Sequence, residues 1–137
     1  MAIEPTLGET FTYVLSTDGT MSAARFQGSS PDVFASPYLL GAVEAAAARL
    51  MERWLGPGEM SVGAGFELRH TAPTPLGWEV RTVATLVEWK GKKFVFAVEC
   101  FDELEKIGEA RHTRFIVEGA GFAAQVAAKL ERREASR

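Results

Sequence analysis

Cysteine is nearly missing from this chain of 137 residues: Cys100 stands alone, so no intramolecular disulfide can close. Histidine occurs only at His70 and His112, and no Cys or His spacing matches a zinc site, so no metal is expected. Positive charge is in short supply. Fifteen Lys and Arg against eighteen Asp and Glu leave a net charge of −3, a poor match to a phosphate backbone, and no nucleic-acid partner is expected. Long apolar runs are missing as well: Val33 to Val43 is too short to cross a bilayer. The opening MAIEPTLGET has neither a basic stretch nor an apolar one, so it does not read as a signal peptide. A reducing, cytoplasmic setting without membrane partners is the expectation. The glycine signatures of dinucleotide and P-loop sites, the HExxH zinc motif and the GxSxG elbow do not occur. With no repeat, low-complexity tract or linker, residues 1–137 read as one domain.

What is present reads as an α+β pattern. Thr10 to Leu15 alternates loosely and predicts a short strand; Met21 to Phe26 reads as a second short pairing segment, and Gln27 to Asp32 as a loop. Ser36 followed by Pro37 predicts a helix start, with the serine at N-cap and the proline at the first helical position. Leu40, Val43, Ala47, Leu50 and Trp54 then recur at helical spacing until Gly56-Pro57-Gly58, a helix of about 19 residues or roughly 28 Å. Its first half is apolar nearly all round, which predicts that other structure wraps it. The period then changes. Val62, Ala64, Phe66 and Leu68 alternate with polar or small residues, as do Trp78 to Leu86, Phe94 to Val98 and Ile107 to Val117, with turns at Lys90-Gly91-Lys92 and Glu103 to Lys106. Phe122, Val126 and Leu130 stripe a last amphipathic helix. Strands joined this tightly must be antiparallel, and one internal helix is long enough to cover them. The expected architecture is an antiparallel sheet of about five strands curled around a central helix.

Glu44 is the only carboxylate between Val33 and Ala48, and Leu40, Gly41, Ala47 and Ala48 around it cannot pair with it. Either it is desolvated, which suits general acid or base work, or it reaches water or pairs with an arginine from the sheet. His70 ends a strand in phase with an apolar face, where an imidazole can move a proton or serve as a satisfied structural group. Ser36 reads first as a cap, and a cap hydroxyl can also line a pocket. Gly63 and Gly65 within a strand point to close approach by backbone or ligand, or to tight packing on the helix. Arg114 is a lone cation among Phe115, Ile116 and Val117, fit to hold an anionic or carbonyl group or to lie at the surface. His112 and Cys100 read as structural, the cysteine packed and inert.

The order of elements, with the pieces VFASPYLLGAVEAAA, VGAGFELRHTAPTPLG and GEARHTRFIV, resembles the hotdog-fold acyl-CoA thioesterases, and most closely the fluoroacetyl-CoA thioesterase group. The likeness runs from Leu7 to about Val126. It implies a hydroxyl–carboxylate–imidazole triad at Ser36, Glu44 and His70, with serine where that group carries threonine. It also implies an acyl-facing amide at Gly63, a strand arginine at Arg114, and a homodimer joined edge to edge with pockets near the interface. The implied chemistry is hydrolysis of a small acyl-CoA ester without a cofactor, coenzyme A being part of the substrate. The group's longer, Phe-rich lid before the helix is reduced here to Gly28–Phe34, so fluoroacetate is not the expected acyl group. An enoyl-thioester hydratase of the same fold and a non-catalytic acyl-CoA-binding module are the rival readings.

Overall fold

The computed structural model describes residues 1–137 and orders them as β1 (Thr10–Ser16), α1 (Ser36–Met51), β2 (Glu59–His70), β3 (Glu79–Lys90), β4 (Lys93–Phe101), β5 (Lys106–Glu118) and α2 (Gly119–Ala135). The strands form one antiparallel sheet in the order β1-β3-β4-β5-β2, so β1 and β2 are its edges. Alternation explains the core. Val80, Ala84 and Leu86 of β3 and Phe94, Phe96 and Val98 of β4 are buried against Leu39, Val43, Ala46, Ala47 and Leu50 of α1. Each buried Val, Leu or Phe among them contributes about 1.5–3 kcal/mol when removed from water, and each alanine less. Gly91, at φ +60°, takes the first place of the two-residue β3–β4 turn, a left-handed position that suits glycine in a hairpin. The expected sheet curled on a central helix is what forms.

Several local expectations are corrected. Met21 to Phe26 pairs only at one point: Ser22 bridges Phe34, with Ala23 N–H bonding the Val33 carbonyl and Ala35 N–H the Met21 carbonyl. Gly19–Met21 and Ala23–Arg25 are single 3-10 turns, and no strand forms. Asp18 and Ser22 accept from the backbone N–H groups of Thr20 and Ala24, and such local bonds compete with strand pairing. The helix cap is Ala35, not Ser36. Ala35 is extended and its carbonyl receives the N–H groups of Tyr38 and Leu39, which leaves Ser36 as the first helical residue with a hydroxyl not used in capping. At the other end α1 stops at Met51. Trp54 is buried as expected but in a tightened turn, stacked 5.6 Å from Phe94. The first half of α1 is also not wrapped all round, because one sheet can cover only one side of a helix. Leu39, Ala42 and Val43 face it, while Ser36, Gly41 and Glu44 are exposed. The stripe of α2 is likewise open, with Val126 and Leu130 more than half exposed.

The strand β2 departs most from simple alternation. Its pairing with β5 shifts between Gly63 and Gly65, where Ala64 is an extra residue. A bulge of this kind changes which face later residues occupy. Gly63 opposite Arg114 and Phe66 opposite His112 therefore share the face toward α1, with Leu68 and His70 following in phase. Val62 and Ala64 do not belong to that face. His70 is seven positions after Gly63, and without the bulge that odd spacing would put them on opposite faces.

The connection from β2 to β3 crosses the end of the sheet and is tied down along its length. Thr71 N–H bonds the Ile107 carbonyl, Phe34 N–H bonds the Thr74 carbonyl, and Thr17 anchors Gly77 and Trp78. Thr74 Oγ1 donates to the buried Asp102 carboxylate at 2.9 Å. Asp102 also accepts from the N–H groups of Leu104 and Glu105. Burial pushes its pKa up, but these donors outweigh it and hold the carboxyl below its ordinary value. The strap fixes where His70 stands.

Candidate active site

Two clusters lie along the exposed side of α1. At its start, Ser36 Oγ is 2.7 Å from His70 Nδ1. The ring sits at the end of β2, and its other nitrogen, Nε2, is shielded from solvent without a partner in the chain. Burial pulls the His70 pKa below its ordinary 6.5, opposed by the Ala72 carbonyl, so the imidazole is neutral near pH 7. A neutral ring can take the serine proton or give one to a leaving group. Beside the pair opens a hollow of about 280 Å³ walled by Ala23, Val33, Phe34, Ala72 and Pro73.

The second cluster is ionic. Arg114 of β5 is only 5% exposed, yet its guanidinium is fully engaged. Nε and Nη2 donate to Ser61 Oγ at 3.2 and 3.0 Å, Nη2 also donates to the Ser61 carbonyl at 3.0 Å, and Nη1 reaches Glu44 Oε2 at 3.3 Å. Burial lowers the Arg114 pKa and the Glu44 carboxylate raises it again. Glu44 is not desolvated: its side chain is 48% exposed, and its partner is the sheet arginine. The anion that Arg114 holds is thus the helix's own carboxylate. Gly63 completes the cluster. A Cβ built there would overlap Glu44 Oε2 and lie 3.2 Å from His112 Cε1 and 3.3 Å from Arg114 Nη1. A methyl there would push that carboxylate away from its place against Arg114.

Sequence reasoning named five site residues, and the structure gathers them as two and three. Ser36 meets His70; Glu44 meets Gly63 and Arg114. No hydrogen bond joins the two sets, and Ser36 and Glu44 stand about 12 Å apart along the helix axis by their eight-residue spacing. Two participants were missed. Ser61, which holds Arg114, gave no signal because its role depends on cross-strand register. His112 was read as structural, yet it is buried within the Arg114 cluster. Cys100 is buried on the core side, and burial pushes its thiol up to about 11, so it is unreactive near neutrality. No three His, Cys, Asp or Glu side chains converge as metal ligands do.

Comparison with known proteins gives this geometry a context. Residues 18–120 match the profile of the family described as fluoroacetyl-CoA-specific thioesterase. A curated fluoroacetyl-CoA thioesterase of Streptantibioticus cattleyicolor is 35% identical over 99 residues, 72% of this chain and 71% of that protein. A solved structure of a variant of the fluoroacetyl-CoA thioesterase FlK in complex with acetyl-CoA superposes with a TM-score of 0.84 at 31% identity, covering 91% of this chain and 98% of that one. A thioesterase-superfamily protein of Thermus thermophilus superposes with a TM-score of 0.90 at 28% identity over 97% and 99% of the two chains.

Proposed function

The chain belongs to the fluoroacetyl-CoA-specific thioesterase family and is a thioester hydrolase acting on acyl-CoA, and we propose Glu44 as its reacting carboxylate. The observation that carries this is the buried guanidinium of Arg114, locked by Ser61 and aimed at a half-exposed acid across a residue without a side chain. Glu44 takes a proton from water as the water attacks the thioester carbonyl, or attacks that carbon itself to give an anhydride that water then opens. The Gly63 N–H stabilises the oxyanion, a contribution of roughly 3–4 kcal/mol in well-formed sites. The C–S bond breaks, His70 delivers a proton to the departing thiolate, and Ser36 holds the imidazole for that task. The products are the free acid and coenzyme A, with no cofactor consumed.

The reading includes a second copy of the chain. One chain leaves His70 and Glu44 apart, whereas the sulfur that takes the proton and the carbon that is attacked are bonded to each other. The strand β2 is an open edge, and Gly63, Ala64 and Phe66 on it are exposed. Joining two sheets through this edge would set the Ser36–His70 pair of one chain beside the Glu44 cluster of the other.

The acyl group is proposed to be small, like the acetyl group of the acetyl-CoA held by the FlK variant to which this chain is similar. Segment 28–34 contains one phenylalanine, Phe34, which is 1% exposed and part of the core, so short unfluorinated acids are the proposed acyl groups. A cytoplasmic setting fits the buried, unpaired Cys100, and no helix is long and apolar enough to cross a membrane. The test is thiol release from acetyl-, propionyl- and longer acyl-CoA. Glu44→Gln and His70→Ala should each remove at least about 100-fold in kcat while the protein stays folded. Wild-type turnover in both variants would overturn the assignment.

A further inference from the structure

His112 sits where the bulge of β2, the guanidinium of Arg114 and the acid of α1 come together, and the reaction as described leaves it without a task. It is fully buried. Nδ1 lies 2.8 Å from the Gly65 carbonyl, which can only accept, so Nδ1 carries a proton. Nε2 lies 3.3 Å from Arg114 Nη1, which can only donate, so Nε2 offers a lone pair. These two contacts select one form of the ring: neutral and protonated at Nδ1. Phe66 clamps the ring face to face, with centroids 4.1 Å apart and planes within 13°. The same Nη1 that reaches His112 reaches Glu44 Oε2.

We propose that His112 is a positioning residue, an uncharged imidazole of fixed tautomer that accepts from Arg114 Nη1 and closes the β2 bulge on Gly65, thereby setting the guanidinium against Glu44. Three elements meet at this ring. The bulge turns Gly63 toward the helix, β5 supplies the arginine, and α1 supplies the acid. The charged groups facing His112 are Arg114 on its own strand and Glu44 on α1; Phe66 and Gly65 of β2 and its β4 partner Phe96 carry no charge. Burial, with Arg114 helping, pulls its pKa below the ordinary 6.5 against the opposing influence of Gly65 and Glu44, in keeping with an uncharged ring. The inference rests on reading Glu44 as the reacting acid, but part of its test does not.

The part independent of activity is nitrogen NMR of the wild-type imidazoles. His112 should hold the Nδ1-protonated neutral form from pH 7.5 down through 6.5; an Nε2-protonated ring, or one that takes up a second proton at an ordinary pKa, would overturn the proposal. The kinetic part compares two partial mimics, since asparagine places its amide near Nδ1 and glutamine near Nε2. His112→Phe, which keeps a stacked ring, should lower kcat on the order of tenfold with KM within about twofold. His112→Gln should recover more of the lost turnover than His112→Asn. In an Arg114→Lys background the further effect of His112→Phe should shrink to under about twofold, because the partner through which it acts is already altered. Full additivity, or unchanged kcat in a folded His112→Phe, would sink the proposal. Should His112→Phe not fold, the Gln-over-Asn ranking decides in its place. If Glu44→Gln leaves turnover intact while the NMR result holds, it is the functional reading that fails and not the geometry around His112.

Discussion

The two clusters on the exposed face of α1, one at its start and one at its middle, are built in opposite ways. The Ser36–His70 pair is uncharged, and its placement depends on backbone: the strap from Thr71 to Trp78 is tied to Thr17 just after β1, to β5 and to the segment before α1, and His70 stands at its root. The Glu44 cluster is ionic, and its placement depends on side chains from three elements, Ser61 of β2, Arg114 of β5 and Glu44 itself. The difference teaches where each half is vulnerable. A proton-shuttling imidazole needs a neutral ring in a fixed place, which a tied loop supplies. A carboxylate beside a buried guanidinium needs its partner locked, since an unengaged buried charge is costly.

The strongest way to break the comparison is to separate the halves onto different chains. His70→Ala and Glu44→Gln proteins, each nearly inactive, should on mixing and re-equilibration regain about one quarter of wild-type thiol release, because half the random pairs carry one intact site of two. No recovery from a confirmed mixed dimer would place both halves of the working site in one chain. Sedimentation should first show a particle of twice 14.9 kDa.

Next in size is Gly63→Ala. The backbone there is not left-handed, so the strand tolerates the change, but the new methyl takes the space of Glu44 Oε2. Loss of the Arg114 contact should cost about 100-fold in kcat with little change in Tm, measured by thiol release and thermal unfolding. Ser36→Ala should cost less, about tenfold in kcat, if the hydroxyl only holds His70. A larger loss would mean that Ser36 carries the acyl group.

The smallest effect is on stability against pH. Both imidazoles have pKa values below 6.5 in the folded chain and near it when unfolded. The unfolded chain therefore binds more protons in that window, and stability present above pH 6.5 is lost as pH falls toward the folded values. Thermal unfolding between pH 8 and 5 should show Tm level above about 7 and declining below 6.5. The decline should be shallower in His70→Ala.

Much of this molecule was legible along the chain. The five strands, the long helix and the acid at position 44 follow from periodicity and from the isolation of one charge in an apolar run. The misreadings share a cause. Ser36 and Ala35 compete for one cap, and what decides is the buried, extended backbone at Ala35 rather than the side-chain preference of serine. The face assignments of Val62 and Ala64 fail because a bulge has no periodic signature before its partner strand is known. Glu44 had two open readings, and the register of β2 on β5, which brings Arg114 under the helix, selects the ion pair.

By itself the order of residues determined the period of each segment, its turns and the types of chemical group available, because these depend on neighbours a few positions away. Which groups meet was decided only in three dimensions. One extra residue at Ala64 turns Gly63 and His70 to the same side, and a buried arginine whose other nitrogens are held by Ser61 leaves one for Glu44. Contacts of that kind depend on strands far apart in the chain being fixed in register, and register is set by the packing of the whole sheet against its helix.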